Sequence, residues 1–416
     1  MTSDTAGHVE SQRQPRYAWP VMGQLWGMDL LGTMVFFSIG VLLPVWKEDL
    51  GITPFQAGLL GSAGFLGFGT MALPASIWLT RYNPRLVTLA CAFGMSAAAV
   101  AQAASPTALV LLVTRFAFVL LAVSRIQMQV LFIQQWFQQR LYAMVNSMDF
   151  ANRALAQTLA VAATPVLVAL LGGWRSFYVA VAVAMAAVGV VWAFFGRERE
   201  ISREDGAPRA RSGNPIGVLR RHKSLWVLAS AQIGGAMAFA SFITFYPTYA
   251  IDRLGLSLTE AGLVMSAFPI GAMVGSLSSG PLSQLLGRRK PFIWVPGLLL
   301  PVLYMTVLRV DSVPVSMLLL LLAGSAAMAV PPILATVPLD MKLAPREVAV
   351  ALGLVRTLFP IGATLGPLLV GTLQQSTGSL LLGLSIVSPM AVTLLIGGSL
   401  MTETGPRGRR AARAGP

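Results

Sequence analysis

The chain has 416 residues, of which 55% are apolar and 11% charged, about half the usual charged share of roughly 25%, and its mean hydropathy is +0.71. So little charge cannot clothe a water-soluble surface, which excludes the soluble enzymes and sensors that this length would otherwise allow. The formal charge of +14 does not indicate nucleic acid, because the basic residues lie in short gaps between apolar runs and in the tails, not on one basic face.

The single cysteine, Cys91, lies in an apolar run, and the two histidines, His8 and His222, lie in hydrophilic segments. That arithmetic excludes disulfides and a Cys/His metal centre. Residues up to Pro20 are polar and lack a short apolar stretch with a cleavage site, so no signal peptide is expected. Runs of about 20 apolar residues, enough to cross a bilayer, fall at 20–45, 55–79, 86–104, 107–131, 143–171 and 176–195. After a hydrophilic stretch they resume at 224–250, 260–283, 291–308, 314–337, 347–373 and 379–401. The expected fold is an all-α membrane protein of twelve transmembrane helices in two pseudo-symmetric six-helix bundles, 20–195 and 224–401. A cytoplasmic N-tail (1–19), a central linker (196–223) and a basic C-tail (402–416) complete the domain plan.

With both termini in the cytoplasm, 22 of the 30 Lys and Arg residues fall in cytoplasmic segments, four outside (Lys47, Arg175, Arg253, Arg309) and four within spans. The positive-inside rule selects that orientation, and we expect a bacterial inner membrane. The linker, rich in charge and without apolar periodicity, is expected to be flexible. An internal repeat supports the division into halves: Asp49-Leu-Gly-Ile-Thr-Pro-Phe-Gln-Ala-Gly-Leu-Leu60 matches Arg253-Leu-Gly-Leu-Ser-Leu-Thr-Glu-Ala-Gly-Leu-Val264 at an offset of 204. The same offset pairs Ser62 with Ser266 and Arg85 with Arg289.

Twelve spans, a basic linker and this duplication resemble the major facilitator superfamily. Its cytoplasmic loop signature resembles Gly280-Pro-Leu-Ser-Gln-Leu-Leu-Gly-Arg-Arg-Lys290, in which Gly280 and Gly287 permit a tight turn and Arg288 and Arg289 anchor at the interface. Gln284 stands where the family usually has Asp, and the first-half copy, Ser76 to Leu86, has Thr80 there, so the family's charge lock is in doubt in both copies. Arg115 followed 21 residues on by Trp136-Phe137 is similar to the organic-anion symporter branch, although Arg140 and Ala143 follow two positions early. Gly172-Gly-Trp-Arg-Ser-Phe-Tyr178 resembles the family's loop between the fifth and sixth spans.

Six ionisable side chains fall inside spans: Asp29, Arg115, Arg125, Asp149, Arg153 and Arg356. Each costs at least about 2.5 to 3.5 kcal/mol there unless paired or wetted. Helical spacing puts Asn146, Asp149, Arg153, Gln157 and Thr164 on one stripe of the fifth span, which must face a water-filled interior. Asp149 and Arg153, four apart, either pair locally or serve a site. Arg356 in the eleventh span matches Arg153 within one residue under the offset and has no acid in its own span. Guanidinium groups suit carboxylates, so Arg153, Arg356, Arg125, Gln157 and Asn146 are the candidate substrate ligands. Arg125 and Arg356, near helix ends, have the alternative of snorkelling to the interface. The four arginines and two acids would leave the cavity with an excess of about two positive charges.

Asp29, Arg115 and Asp149 are the candidate proton-coupling residues. An acid on the first span opposite an arginine on the fourth resembles the coupling pair of sugar/proton symporters in the superfamily; that likeness implies that Asp29 pairs with Arg115. A fixed structural salt bridge is the alternative, and Asp149 is the second candidate for the proton. Gly362, Gly366-Pro367 and Gly371, with Thr164-Pro165 as first-half counterpart, are expected as a flexible, closely packing stretch whose breaks let the halves rock. A similar glycine-proline signature marks drug antiporters in the superfamily, there in the fifth span. Phe239, Phe242, Phe245, Tyr246 and Tyr249 are expected as an interfacial aromatic belt, with a gate or a contact for a ring-bearing substrate as the alternative. The expected function is a secondary transporter moving a small anion, a carboxylate, by alternating access with protons; the alternative is a multidrug or metabolite efflux antiporter. A monomer in the bilayer is expected, without cofactor, metal or nucleic acid, and an enzyme is not.

Overall fold

The computed structural model describes residues 17–78, 82–138, 141–199, 217–341, 343 and 345–405. The N-tail through residue 16, the centre of the linker, Thr80, Arg140 and the C-tail from residue 406 lie outside these. The described residues are helical apart from turns and short connections, as the bilayer demands, because a helix satisfies its own backbone polar groups where no water can.

A helix stands at each of the twelve expected spans. The first span is a pair, α1 (Ala18–Phe37) and α2 (Ile39–Leu50), bent by 48° at Ser38. There follow α3 (Pro54–Trp78), α4 (Pro84–Ala103), α5 (Ala108–Trp136), α6 (Tyr142–Leu170) and α7 (Trp174–Phe195). A short α8 (Gly217–Arg221) leads into α9 (Lys223–Leu254), α10 (Leu258–Leu286), α11 (Pro291–Val307), α12 (Val313–Asp340) and α13 (Pro345–Thr377). The last span is α14 (Leu380–Val387) and α15 (Val392–Leu400), joined by a 3-10 turn at Ser388–Ala391. Among the described residues nine helices are individually long and apolar enough to cross a membrane, ten with α1 and α2 taken together. Large apolar side chains stand out to the exterior, Phe194 at 75% and Leu285 at 79% exposure; a bilayer solvates such a surface and water does not.

Helix ends are set by local chemistry. Asn83 accepts from Leu86 N at 3.1 Å with Pro84 at the first helical position. Ser257 and Glu260 form a reciprocal capping box at the start of α10. Gly51, Gly255 and Gly287 end their helices in the left-handed conformation.

In the first half α4 packs on α5 and α7, α3 on α5, and α1 on α6 and α7. In the second, α10 packs on α12, α9 on α13 and α15, and α11 on α12 and α15. The halves meet along three seams, α3 with α13, α6 with α10 and α2 with α9. All three lie toward the end remote from the termini, where backbone approaches backbone: a Cβ on Gly58 would sit 2.6 Å from Pro367 O, and one on Gly262 2.8 Å from Val161 O. Ser62 Oγ donates across the first seam to Thr364 O at 2.5 Å. Toward the terminal end this seam reaches as far as Gly69 against Pro360. One turn further, on the same face of α13, Arg356 is exposed, and Asn146 is exposed on the corresponding stretch of α6. The cleft between the halves therefore opens toward the end that carries both termini.

Two sequence expectations are corrected here. α13 runs unbroken through Gly362, Gly366, Pro367 and Gly371, and these residues are packing points: Gly362 and Gly366 meet the α9 backbone at Ile233 and Met237, and Gly371 meets Pro54 and Gly58. The aromatic residues of α9 form no interfacial belt, because Phe239, Phe242, Phe245, Tyr246 and Tyr249 are all buried among neighbouring helices. Gly58→Leu is expected to force the remote end apart. In a Thr244→Cys background, where position 244 is buried in the parent and the native Cys91 is also buried, the change should raise maleimide labelling in detergent several-fold, read by mass spectrometry.

Candidate functional site

Three helices of the first half bring their charges together. Asp29 on α1 and Arg125 on α5 are almost fully buried, and Arg125 Nη2 donates to Asp29 Oδ1 in a direct ion pair. Arg125 Nη1 donates to Gln129 Oε1 at 3.0 Å and to Leu25 O at 3.4 Å. Gln129 Nε2 donates in turn to Asp149 Oδ1 on α6. Arg153, one turn along α6, closes the chain on Asp149 Oδ2 through Nε at 3.2 Å and Nη2 at 3.1 Å. Its Nη2 also stands 4.0 Å from Asp29 Oδ2, an oxygen that is buried and accepts no hydrogen bond among the described residues. Desolvating each ion costs several kcal/mol; here two acids and two arginines offset that cost jointly, with Gln129 as the neutral bridge.

The expected partnership of Asp29 with Arg115 is not what forms. Arg115 is 2% exposed on α5 and donates to Val35 O at 3.2 Å and Phe36 O at 2.6 Å. Those carbonyls lie at the end of α1, beside its bend, where the helical ladder is interrupted and a cation is welcome. Beside them Ser38 Oγ lies 3.2 Å from Tyr178 OH. Arg115 thus holds the bend, and Arg125 takes the acid. Nor does Arg125 snorkel: at 1% exposure it is a core residue.

The polar stripe of α6 does face the other half. Asp149, Arg153 and Gln157 continue along one helical face into Val161 and Pro165, which pack against Gly262 of α10. Arg153 retains 33% side-chain exposure to the cleft and Gln157 is half-buried. Thr164, higher on the helix, is fully buried. Arg356 occupies the equivalent place on α13, in line with Pro360, Thr364 and Pro367, which pack on α3. It makes no ion pair or side-chain hydrogen bond among the described residues, and no contact joins it to the first-half cluster. Asp29 and Arg153 lie at one level, 4.0 Å apart; Arg356, like them, stands eleven residues into its helix.

Sequence reasoning missed an aromatic layer above these charges. Phe65 of α3 meets Phe36 of α1 at 5.6 Å and Phe239 of α9 at 6.4 Å between ring centroids. Phe239 also meets Phe268 of α10 at 5.7 Å and Phe359 of α13 at 5.9 Å. The cluster spans both halves and closes the blind end of the cleft. Its members come from five helices, so no local pattern announces it. Gln129 was equally silent, being one of four glutamines on its helix, with nothing local to single it out.

The cytoplasmic loop motif has a lock, from unexpected partners. Gln284 is exposed, and Arg289 Nε instead bonds Asp340 Oδ2 at the end of α12 at 3.1 Å. Arg289 Nη1 donates to Ser283 Oγ at 2.6 Å, while its backbone N donates to Glu403 Oε1 at 2.7 Å. Gly287 supplies the left-handed turn (φ 64°) and Arg288, its side chain exposed, accepts from Ser283 Oγ at its backbone O at 3.1 Å. In the first half the matching Arg85 donates to Ala193 O at 2.6 Å. Gly172 and Gly173 turn the chain into α7, whose Trp174 Nε1 donates to Asp49 at 2.9 Å.

Comparison with known proteins agrees with this architecture. The family model described as Major Facilitator Superfamily matches residues 25–367 and 252–415. The chain belongs to that superfamily and is a transporter, not an enzyme. It is 22% identical to a probable sulfoacetate transporter, SauU, of Cupriavidus necator, over 86% of this chain and 88% of that one. A probable nitrate/nitrite antiporter, NarK1, of Thermus thermophilus is 28% identical over 66% of this chain and 64% of its own. Among solved structures, an inward-facing bacterial homologue of the human lysosomal transporter Spinster superposes with a TM-score of 0.78 at 17% identity, covering 96% of this chain and 98% of that one.

Removing one partner of a buried ion pair costs about 3 to 5 kcal/mol. Arg125→Met is therefore expected to lower the thermal midpoint of the purified protein clearly, and Asp29→Asn with Arg125→Met to recover a substantial part of it. Strictly additive losses in the double-variant cycle would show that the pair does not act as a unit.

Proposed function

We propose that this transporter carries a small anion, a carboxylate, coupled to protons, by rocking the 20–195 and 224–401 halves about the central cleft. The single observation that carries the anion reading is Arg356: an arginine inside the membrane, without an acid, on a face that turns from inter-half packing to the open cleft. A permanently charged guanidinium in that setting calls for an anion. Arg153, with Gln157 beside it, faces the cleft from the opposite half, and Asn146 lies nearer the mouth. The similarity to proteins named for sulfoacetate and for nitrate and nitrite supports the same class.

Asp29 is the proton carrier in this reading, because its Oδ2 is buried without a hydrogen bond while its other oxygen holds Arg125. A proton on Asp29 loosens its direct pair with Arg125 and removes the more distant pull on Arg153. Asp149, already engaged by Gln129 and Arg153, adjusts with them. The positive-inside distribution places both termini in the cytoplasm of a bacterial inner membrane, so the cleft faces inward. The turn at Gly280 to Arg289, with Gly287, Arg288 and Arg289, is the loop that the second half carries along as it moves.

In proteoliposomes, Arg356→Ala is expected to reduce carboxylate transport at least tenfold with the fold intact. Asp29→Asn should abolish accumulation driven by a proton gradient while sparing exchange of substrate across the membrane. Energised efflux of lipophilic cations that survives Arg356→Ala would overturn the anion reading in favour of an efflux antiporter.

A further inference from the structure

The four ions of the first half form two pairs with one amide between them. Asp29 holds Arg125 and Asp149 holds Arg153. Among the described residues no hydrogen bond joins the pairs except through Gln129, which is 1% exposed. Its Oε1 accepts from Arg125 Nη1 at 3.0 Å and its Nε2 donates to Asp149 Oδ1. Apart from this bridge the pairs approach only where Arg153 Nη2 stands 4.0 Å from Asp29 Oδ2, beyond hydrogen-bond reach.

An amide in this place points one way only. Reversed, it would set its N–H groups against a guanidinium and its carbonyl against a carboxylate, two repulsive contacts where the dielectric is low. The orientation of Gln129 therefore follows the charges, oxygen to the cation and nitrogen to the anion. Arg125 is itself 1% exposed and cannot replace a lost partner with water. When a proton neutralises Asp29, Arg125 keeps Gln129 Oε1 and the Leu25 carbonyl, and the acid left to it is Asp149, one amide away.

Other helices bring no competing charge to this level among the described residues. α3, which packs on α5, has no ionisable residue. α7 has only Arg175 and Tyr178, and α10 only Glu260, all at the remote end. The Cys91 thiol of α4 is the one further titratable group near Arg125.

We propose that Gln129 is the positioning residue that carries protonation of Asp29 to Asp149, and through Asp149 to the hold on Arg153. The proposal rests on the proton reading above and deepens it. As Arg125 leaves Asp29 it moves with Gln129 toward α6; the amide gives up Asp149 Oδ1, and that oxygen turns to Arg125. Asp149, shared between two guanidinium groups, holds Arg153 less firmly, and Arg153 is the member with 33% side-chain exposure to the cleft. A neutral amide suits the task because it links the pairs without adding charge. An acid at this position would hold Arg125 whatever the state of Asp29.

The test is infrared difference spectroscopy of the purified full-length protein between high and low pH, which needs no substrate. The band of protonated Asp29, identified by its loss in Asp29→Asn, is expected to rise together with a shift of the Asp149 carboxylate band, identified by its loss in Asp149→Asn. In Gln129→Met, of similar shape but without the amide, the Asp29 band should persist and the Asp149 shift should disappear. Should Gln129→Met fail to fold, Gln129→Glu, which accepts from Arg125 but has no N–H for Asp149, should lose the same shift. A purely structural Gln129 would lower the thermal midpoint on substitution and leave the shift in place. An Asp149 shift retained in the folded variant, or an Asp149 band that never responds to Asp29, overturns this proposal and leaves the proton reading standing. The absence of any titrating Asp29 band overturns both.

Discussion

Carrying a charged side chain into an apolar medium costs several kcal/mol unless an opposite charge or polar groups compensate it, and the first half of this protein is arranged around that constraint. Asp29, Arg125, Asp149 and Arg153 reside on three separate helices and become tolerable only together. Their mutual satisfaction ties α1, α5 and α6 at one depth. The bend between α1 and α2 has its own guanidinium, Arg115, on the carbonyls at the end of α1. Fixing that bend sends α2 against α9, the seam at which Gly40 meets the Ile243 carbonyl.

The second half solves the same problems with different chemistry. Its interior is aromatic and aliphatic, with Phe242 stacked on Tyr246 and Tyr304. Its ion pairs lie at the two ends: Arg289 and Asp340, with Glu403, bind the start of α11 to the end of α12, and Arg253 pairs with Asp311 at the remote end. At the corresponding end of the first half, Tyr17 meets Trp136 at 5.7 Å and donates to Phe195 O. A duplicated fold thus carries an ionic interior in the first half and an apolar one in the second, where Arg356 makes no ion pair among the described residues.

Closure at the remote end depends on small residues and rings. Where the backbones of α3 and α13 meet at Gly58 and Gly371 there is no side chain to yield, so the seam is either closed or parted. Below it, the ring layer from Phe36 to Phe359 is compliant by comparison, because side chains can rotate.

Hydropathy and charge placement in the sequence determined the membrane class, the helical spans, the duplication and the stripe on the fifth span. These follow from one-dimensional periodicity: an apolar run of a given length must span, and a polar line four residues apart must face something wet. The pairing of the buried charges was decided only by tertiary structure. Asp29 had two arginines within reach on the same helix, Arg115 and Arg125, and which one it met depended on where the first span bends and how α5 leans against it. The aromatic layer and the partner of Arg289 were settled in the same way. Each joins residues far apart in the chain, whose approach is fixed by the packing of whole helices and leaves no local trace.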